Sequence, residues 1–282
     1  MIYILFNPLA NNSRGENDAK NWAIENKVKG TFKSLIDMNF KKFFDTTKAS
    51  DEVILCGGDG TLNRFVNDTY GYNFKCKLSL VKCGSGNDFY RDVASKEKDG
   101  RINLLPYIQN LPLITVNGIK RRFINGIGYG IDGDTCLKGD EIRKKDPNAV
   151  INYTNIAIKL LLGGFKTKNC TVEVDGKKYS YKHVWLASAM NGRYYGGGMM
   201  AAPNKDRLDK NIHCDVCVYS SIGRLISLIR FPKFSAGQHK GRKFLIHLTG
   251  KNIQVSFDKP CALQIDGDVV ANVTTYKVSF DK

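Results

Sequence analysis

The chain has 282 residues, of which 42% are hydrophobic, so it is long enough and apolar enough to bury a sizeable core in one large domain or two. Lysine and arginine number 43 against 27 aspartates and glutamates, and the resulting formal charge of +16 favours an anionic partner such as a membrane surface or a nucleotide phosphate. Nucleic acid is disfavoured because the basic residues are scattered and no RNA-binding or zinc-finger signature occurs.

The eight cysteines indicate reduced thiols, since several stand inside strand-like apolar stretches. Cys214 and Cys217 have the spacing of a redox or zinc motif, but no second pair matches it. The amino-terminal segment enters a strand directly, without a signal-peptide pattern. The longest apolar tract, residues 156–165, is too short to span a bilayer. We therefore expect a cytoplasmic protein that is at most peripheral at the inner membrane surface.

The first third of the chain alternates strand and helix patterns. An apolar run at 2–6 leads into a polar loop at 7–13 and a helix, and a second strand–helix pair fills 34–47. The third strand, 53–56, is followed by a glycine loop and by a helix with apolar residues at Leu62, Phe65 and Val66. The fourth strand, 78–82, leads into another glycine loop. This order predicts a parallel sheet whose loops meet at the carboxyl ends of the strands.

The loop Gly57-Gly58-Asp59-Gly60-Thr61 has the features of a phosphate site. Its glycines permit close backbone approach, and the amino end of the next helix attracts anions. A plain turn is the alternative, because a lone Gly-Gly joins many strands to helices. Asp59 favours the functional interpretation: a carboxylate beside phosphates requires a cation between them, which suggests Mg-nucleotide or activation of a hydroxyl group.

Beyond about residue 105 the pattern changes to short alternating runs, which predict a sandwich or barrel-like sheet. Among them are separate strands at 177–181, 184–189, 253–257, 261–265, 269–273 and 276–280. Two helices interrupt it, one at 152–162 and one near 222–231. The second has an apolar stripe of Ile222, Leu225, Ile226 and Ile229 beside basic residues. Such a helix can lie on anionic lipid or can cover the sheet.

Several ordered blocks carry a resemblance to a known family. They are Asn7-Pro8, residues 57–63, residues 84–89, residues 125–132, the Asn, triple-Gly, Ala-Pro segment at 191–203, and Gln264 to Asp268. In these blocks the sequence resembles the bacterial diacylglycerol kinase-like lipid kinases, relatives of the eukaryotic diacylglycerol and sphingosine kinase catalytic domains. Gly-Gly-Asp-Gly alone also occurs in NAD kinases and phosphofructokinases, so the ordered set is the more specific signal.

The resemblance implies the fold and its division. It implies a nucleotide-binding α/β domain with a parallel sheet, residues 1–110, followed by a β-sandwich lipid-substrate domain, residues 111–282. The resemblance leaves open whether the last few residues pack in the first domain or in the second.

The resemblance also implies site residues. ATP is expected to be held by three groups, which are Asn7, Pro8 and Asn11; Gly57, Gly58, Asp59, Gly60, Thr61 and Asn63; and Gly84, Ser85, Gly86 and Asn87. Positions tied to Mg²⁺ and its water network are matched by Asp88, Asp132, Asp209 and Asn211. Asp268 takes the place of the family's proton acceptor, which is usually Glu, and Asp59 is the rival base.

Three departures from the family pattern stand out. Arg64 replaces the usual Glu after the loop, Asn11 and Ser13 stand where glycines are common, and the metal loop near Asp209 is stretched.

The expected function is therefore ATP- and Mg²⁺-dependent phosphorylation of a lipid hydroxyl at an anionic membrane. The alternatives are a soluble-metabolite kinase similar to NAD kinase and a nucleotide- or anion-binding regulator that has lost catalysis. The sequence leaves the lipid open and allows a homodimer.

Overall fold

A computed structural model describes residues 1–83, 87–146, 149–220, 223–238 and 245–280 of the chain. The chain divides into two compact units, Met1–Leu111 and Pro112–Lys282.

The first unit alternates strands and helices. Its strands are β1 (Ile2–Phe6), β2 (Thr31–Ser34), β3 (Glu52–Gly57), β4 (Lys77–Lys82) and β5 (Ile102–Asn103). Its helices are α1 (Ala10–Ser13), α2 (Gly15–Glu25), α3 (Phe40–Asp45), α4 (Asp59–Thr69), α5 (Asp88–Val93) and α6 (Leu105–Ile108), and a 3₁₀ turn spans Ala94–Lys96.

The strands form one sheet in the order β2-β1-β3-β4-β5. The first four are parallel, and β5 runs antiparallel to β4. In this register Phe6 lies opposite both Ser34 and Cys56, while Gly57 lies opposite Lys82. The carboxyl ends of β1, β2, β3 and β4 therefore lie level at one edge, and the loops that leave them start side by side, as in other parallel sheets.

Both faces of this sheet are covered. On one face, Ile4, Ile54 and Val81 pack with Ala19 and Ala23 of α2. On the other, α3 and α4 contribute aromatic contacts, for example between Phe44 of α3 and Phe65 of α4, whose ring centroids are 6.2 Å apart. Burial on both faces explains why β3 is a continuous apolar run rather than an alternating one.

The second unit is mostly β. Its strands are β6 (Leu113–Val116), β7 (Ile119–Arg122), β8 (Gly126–Tyr129), β9 (Lys168–Val174), β10 (Lys177–Met190), β11 (Cys214–Ser220), β12 (Leu245–Gly250), β13 (Ile253–Ile265) and β14 (Asp268–Ser279). Its helices are α7 (Ile131–Lys145), α8 (Tyr153–Lys159) and α9 (Arg224–Ser235), and a π-helical turn, Leu160–Gly164, follows α8.

The strand order is β12-β11-β10-β8-β13-β14-β6-β7, and β9 pairs with both β10 and β13. The two long strands β10 and β13 pair with β9 through one half and with β8 through the other. Each changes register along its length, and His183 in β10 has a positive φ of 54°. Such irregularities bend a strand, so that one strand can serve two layers around a shared core.

The fold prediction is confirmed: an α/β unit with a mainly parallel sheet precedes a β-sandwich unit. Several details differ from expectation. Pairs of strands predicted at 177–189, 253–265 and 269–280 are single bent strands, and α7 was not predicted. The last strand, β14, pairs within the second sheet, and Phe280 packs against the core of the same unit.

Candidate active site

The loop after β1 has an unusual backbone. Asn11, Asn12 and Ser13 have φ values of 50°, 55° and 61°, in the left-handed region that glycine adopts most easily. The side chain of Asn11 donates to Asp18 Oδ2 at 2.8 Å. Asn tolerates this conformation better than most residues. The substitution of Asn11 and Ser13 for the family's glycines therefore leaves the glycine-type loop shape in place.

At the centre of the same sheet edge, Gly57 permits a close packing that no other residue would allow. A Cβ atom on Gly57 would lie 2.5 Å from Thr61 Cβ. Gly58 precedes α4 in an extended conformation, and its carbonyl accepts from Leu62 N at 3.0 Å. A Cβ on Gly60 would meet nothing within 4 Å. The start of α4 is thus folded tightly over β3 while its first turn keeps open space beside it.

Asp59 joins this turn to the loop after β4. Its Oδ2 accepts from Asp88 N at 2.7 Å and its Oδ1 accepts from Phe89 N at 2.9 Å. These two N–H groups belong to the first turn of α5, where a helix has no acceptors of its own. Asp59 therefore caps a helix that is 29 residues away in sequence, and it holds two of the predicted loops together.

The other predicted residues of the first unit fall in three settings. Asn63 is buried in α4, where its Oδ1 lies 3.4 Å from Asn67 Nδ2. Asp88 is buried at the start of α5, next to Asn87. Arg64 is exposed and pairs with Asp68 at 3.7 Å. Gly84, Ser85 and Gly86 lie outside the residues that the structure describes. Pro8 lies between β1 and α1, beside Asn7.

In the second unit, Asp132 stands in the first turn of α7 and points against the sheet. Its Oδ2 accepts from Gln264 Nε2 at 3.0 Å, and a Cβ on Gly128 would lie 1.5 Å from that oxygen. Only glycine at position 128 leaves room for the carboxyl group. Burial raises the pKa of Asp132 to about 6, although the hydrogen bond from Gln264 acts in the opposite direction.

Two buried neighbours, Tyr195 and Gln264, extend this polar site. Tyr195 is 1% exposed, and burial raises its pKa well above the usual range, with the charge of Asp132 adding to the effect. Gln264 Oε1 accepts from Gly267 N at 2.7 Å. Gln264 thus links Asp132 to the turn that contains Asp266 and Asp268.

The two aspartates of that turn have different surroundings. Asp266 accepts from three successive backbone N–H groups, those of Ile124 at 2.6 Å, Asn125 at 2.9 Å and Gly126 at 2.9 Å. The side chain of Asp268 is 71% exposed and forms an ion pair of 2.7 Å with Arg121 Nη1. The predicted proton acceptor is therefore an exposed, paired carboxylate, while its neighbour secures the turn.

Sequence reasoning missed a second group of polar contacts around Asn125. Asn125 Oδ1 accepts from Arg207 Nη2 at 2.6 Å, and Asn125 O accepts from the backbone N–H groups of Asn191 and Gly192 at 2.9 and 3.0 Å. Asn125 and Asn191 lie in blocks that the resemblance identified, but no sequence signal singles out Arg207. These contacts connect the 191–203 segment to the start of β8.

The predicted metal residues do not assemble into an all-protein site. Asp209 Oδ1 accepts from Asn211 N at 2.8 Å, which closes an exposed turn. Within residues 1–83, 87–146, 149–220, 223–238 and 245–280, no three His, Cys, Asp or Glu side chains are grouped so that they could hold a metal ion. Mg²⁺ in phosphotransfer enzymes is commonly held by one or two carboxylates plus substrate phosphates. In the first unit, the buried Asp88 is a carboxylate that suits this pattern. In the second unit, Asp132 is partly buried.

Comparison with known proteins extends these observations. Residues 1–112 match the diacylglycerol kinase catalytic domain, and residues 126–279 match the YegS C-terminal NAD kinase beta sandwich-like domain. A Staphylococcus aureus (strain MRSA252) protein named a "Putative lipid kinase" is 22% identical over 231 residues, which cover 80% of this chain and 73% of that protein. A similarly named protein of strain JH9 is 22% identical over 79% of this chain and 72% of its own length.

Solved structures agree on the fold. The crystal structure of a "putative diacylglycerol kinase" from Bacillus anthracis str. Sterne superposes with a TM-score of 0.65 at 17% identity, covering 100% of this chain and 94% of that one. A further diacylglycerol kinase structure from the same organism gives a TM-score of 0.65 at 18% identity, covering 99% and 93% of the two chains.

Proposed function

Because this chain belongs to the diacylglycerol kinase-like family, with a diacylglycerol kinase catalytic domain followed by a YegS C-terminal domain, and is a kinase-type enzyme, we propose that it transfers the γ-phosphate of Mg-ATP to a lipid hydroxyl group. Diacylglycerol is the first candidate acceptor. The proposed place of action is the inner surface of the membrane, which the protein reaches as a peripheral enzyme. No helix within the described residues is long and apolar enough to cross a bilayer.

The observation that carries the proposal is the convergence of loops at the carboxyl edge of the first sheet. The level ends of β1, β3 and β4 start these loops side by side, and Asp59 fastens the turn before α4 to the start of α5. A glycine turn at a helix amino end binds phosphate through backbone N–H groups. This edge therefore supports the proposal that the first unit binds a nucleoside triphosphate.

The proposed roles follow from the contacts. Gly58, Gly60 and Thr61 bind phosphate oxygens through the open first turn of α4, and the left-handed loop at Asn11 borders the same edge. Asp59 positions α5, whose first residue is Asp88. When bound, Mg-ATP supplies the transferable phosphoryl group and the cation that neutralises its charge. Asp88 is the proposed carboxylate toward that cation in the first unit.

The proposed proton acceptor is Asp268. An alcohol has a pKa far above neutrality, so a carboxylate that accepts the proton as the P–O bond forms assists the transfer. Asp268 is exposed, which suits a group that must meet an incoming hydroxyl. Both oxygens of the rival base, Asp59, already accept backbone N–H groups, which favours a positioning role for that residue.

The test is a transfer assay with radiolabelled ATP against a panel of diacylglycerol, a sphingoid base, phosphatidylglycerol and a polyprenol, with NAD as the soluble alternative. We expect label in the organic phase with one lipid, and a loss of roughly 10²- to 10⁴-fold in Asp268→Asn. Asp59→Asn is expected to lose transfer as well.

The outcome decides among the functions. Label on NAD in the aqueous phase would replace the lipid kinase by a soluble-metabolite kinase. Label in neither phase would favour the nucleotide-binding regulator. Asp68→Asn, which removes only the exposed partner of Arg64, is the matched control and should retain transfer.

A further inference from the structure

Helix α9 carries apolar side chains on two of its sides. The inner side packs into the core of the second unit through Leu228, Phe231 and Phe234. The outer side presents Leu225 and Ile229, which are 73% and 70% exposed, and the partly exposed Ile226. A surface helix of a globular protein normally turns polar residues away from its core. The outer side is therefore suited to a contact that the described part of the chain does not provide.

The apolar stripe noted in the sequence is thus the outer side rather than the side that covers the sheet. Leu225, Ile226 and Ile229 face outward, and Ile222 lies outside the described residues. The alternative interpretation, a helix that covers the sheet, applies to the opposite side of the same helix.

The π-helical turn Leu160–Gly164 extends this apolar surface. It packs against α9, and Arg224 fastens the two by donating from Nη1 to Leu161 O at 3.0 Å and from Nη2 to Phe165 O at 2.8 Å. Two apolar side chains are exposed in this region as well, those of Ile158 near the end of α8 and of Leu162 in the π-helical turn. We define the outer face as Ile158, Leu162, Leu225, Ile226 and Ile229.

The chain segments that carry the outer face contain cationic residues and no acidic ones. No aspartate or glutamate occurs between residues 147 and 172 or between residues 216 and 257. Residues 149–168 and 223–238, which contain the outer face, hold six cationic residues, namely Lys159, Lys166, Lys168, Arg224, Arg230 and Lys233. Exposed Leu and Ile side chains among cations are typical of segments that lie in the interface of an anionic membrane.

We propose that the outer face docks on the surface of an anionic lipid bilayer, with Leu225 and Ile229 inserted among the lipids and the surrounding cations at the level of the headgroups. The proposal rests on the proposed function in that a lipid kinase must work at a bilayer. A second copy of this chain is a poorer occupant, because it would place six cations against six. Nucleic acid would leave the exposed Leu and Ile side chains without an apolar partner.

The first experiment is sedimentation with vesicles of phosphatidylglycerol and phosphatidylcholine. The double variant Leu225→Glu/Ile229→Glu should bind roughly tenfold more weakly or worse, because it removes apolar contact and adds negative charge. Ile24→Glu on α2 is the matched control, since Ile24 is 75% exposed but lies in the first unit. Its binding should equal that of the wild type.

Varying the salt concentration and the lipid charge tests how much the cationic residues around the outer face contribute to vesicle binding. Raising salt from about 0.1 M to about 1 M shortens the screening length several-fold and should weaken wild-type binding. Vesicles of phosphatidylcholine alone should bind less protein than the anionic vesicles.

A second variant reports insertion directly. Leu225→Trp should show a blue-shifted tryptophan emission on adding anionic vesicles, after subtraction of the wild-type signal from Trp22 and Trp185. Full vesicle binding by the double glutamate variant, or no emission shift in Leu225→Trp, would overturn the proposal. So would a concentration-dependent dimer that the glutamates abolish, because the outer face would then belong to a second copy.

Failure of this inference is separable from failure of the proposed function. Phosphorylation of diacylglycerol dispersed in detergent micelles needs no bilayer, so it should survive in the double glutamate variant. Vesicle binding through the outer face without any lipid phosphorylation would leave the docking surface standing and remove the kinase activity instead.

Discussion

Two Asp-Gly turns, one in each unit, can be compared. In both turns an aspartate accepts hydrogen bonds from backbone N–H groups of a distant segment, but only the turn of the second unit also has an exposed aspartate. In the first unit, Asp59 of the turn before α4 accepts two N–H groups at the start of α5. In the second unit, Asp266 accepts three N–H groups at the start of β8, and its neighbour Asp268 remains exposed beside Arg121. The aspartate of the first turn therefore has a structural role. The second turn has one structural aspartate, Asp266, and one exposed aspartate, Asp268.

The difference teaches how a carboxylate in a glycine turn should be interpreted. An aspartate whose oxygens accept backbone N–H groups joins segments that are distant in sequence, and its removal affects the fold before it affects chemistry. An exposed aspartate in the same turn can be removed with little cost to folding. Stability and activity should therefore respond differently at Asp59, Asp266 and Asp268.

The largest effect on folding is expected at Asp266. Replacing Asp266 by Ala leaves three backbone N–H groups without their acceptor, and charge-assisted hydrogen bonds are strong, so we expect a loss of about 3 kcal/mol in the free energy of unfolding. Denaturant titration followed by Trp185, in a Trp22→Phe background, reports on the second unit. Asp266→Asn, which keeps one acceptor oxygen, should lose less. An unchanged midpoint in Asp266→Ala would contradict the structural role.

A smaller effect is expected at Asp59. Asp59→Ala removes the cap from α5, and loss of such a cap typically costs about 1 to 2 kcal/mol. The measurement is a denaturant titration followed by Trp22, in a Trp185→Phe background, because Trp22 lies in the first unit. The control is Asp68→Ala, whose exposed pair with Arg64 is worth under about 1 kcal/mol. Equal losses in the two variants would show that Asp59 does not hold α5.

The sequence was sufficient for the arrangement of the first unit. The β3 run and the Leu62, Phe65 and Val66 spacing specify a strand and a helix because local periodicity and burial agree there. It was less informative in the second unit. Helix α7 was missed because Gly133 and Gly139 break its apolar pattern, yet both glycines let the helix approach its neighbours closely. Strands β10 and β13 were divided in two because their bulges interrupt the alternation.

Some properties of the site residues could likewise be predicted from the sequence, and others could not. That the loops of the first unit share an edge follows from strand order, so it was predictable. Which carboxylate is enclosed and which is exposed depends on contacts between distant segments, such as Gln264 with Asp132 and Arg121 with Asp268. No local pattern encodes those contacts.

Asp132 gives a third prediction, which concerns pH. Burial raises the pKa of Asp132 to about 6 in the folded protein from 3.8 in the unfolded chain. Between these values the folded state holds the proton more tightly, so the contribution of Asp132 to stability should fall as the pH rises from about 4 to about 6. Asp132→Asn should lack this contribution and should therefore gain stability relative to the wild type over this range, by up to about 3 kcal/mol above pH 6.

The measurement is the melting temperature across this pH range, with a chelator present so that only the chain's own groups titrate. Asp140→Asn on the same helix is the control and should follow the wild-type curve. Parallel curves for wild type and Asp132→Asn would mean that the carboxyl group is not enclosed in solution.

The smallest effect on stability is expected at the exposed pair of Arg121 and Asp268. Exposed ion pairs contribute under about 1 kcal/mol and weaken with salt, so Arg121→Gln and Asp268→Asn should unfold close to the wild type in denaturant titrations followed by Trp185. Their kinetics should nevertheless differ. If Asp268 accepts the proton, Asp268→Asn should lower kcat sharply while Arg121→Gln, which leaves the carboxylate in place, should lower it far less. Equal kcat losses in the two variants would instead mean that the pair acts as a unit that orients the turn, and the acceptor would have to be sought at the enclosed Asp132, which Gln264 connects to the same turn.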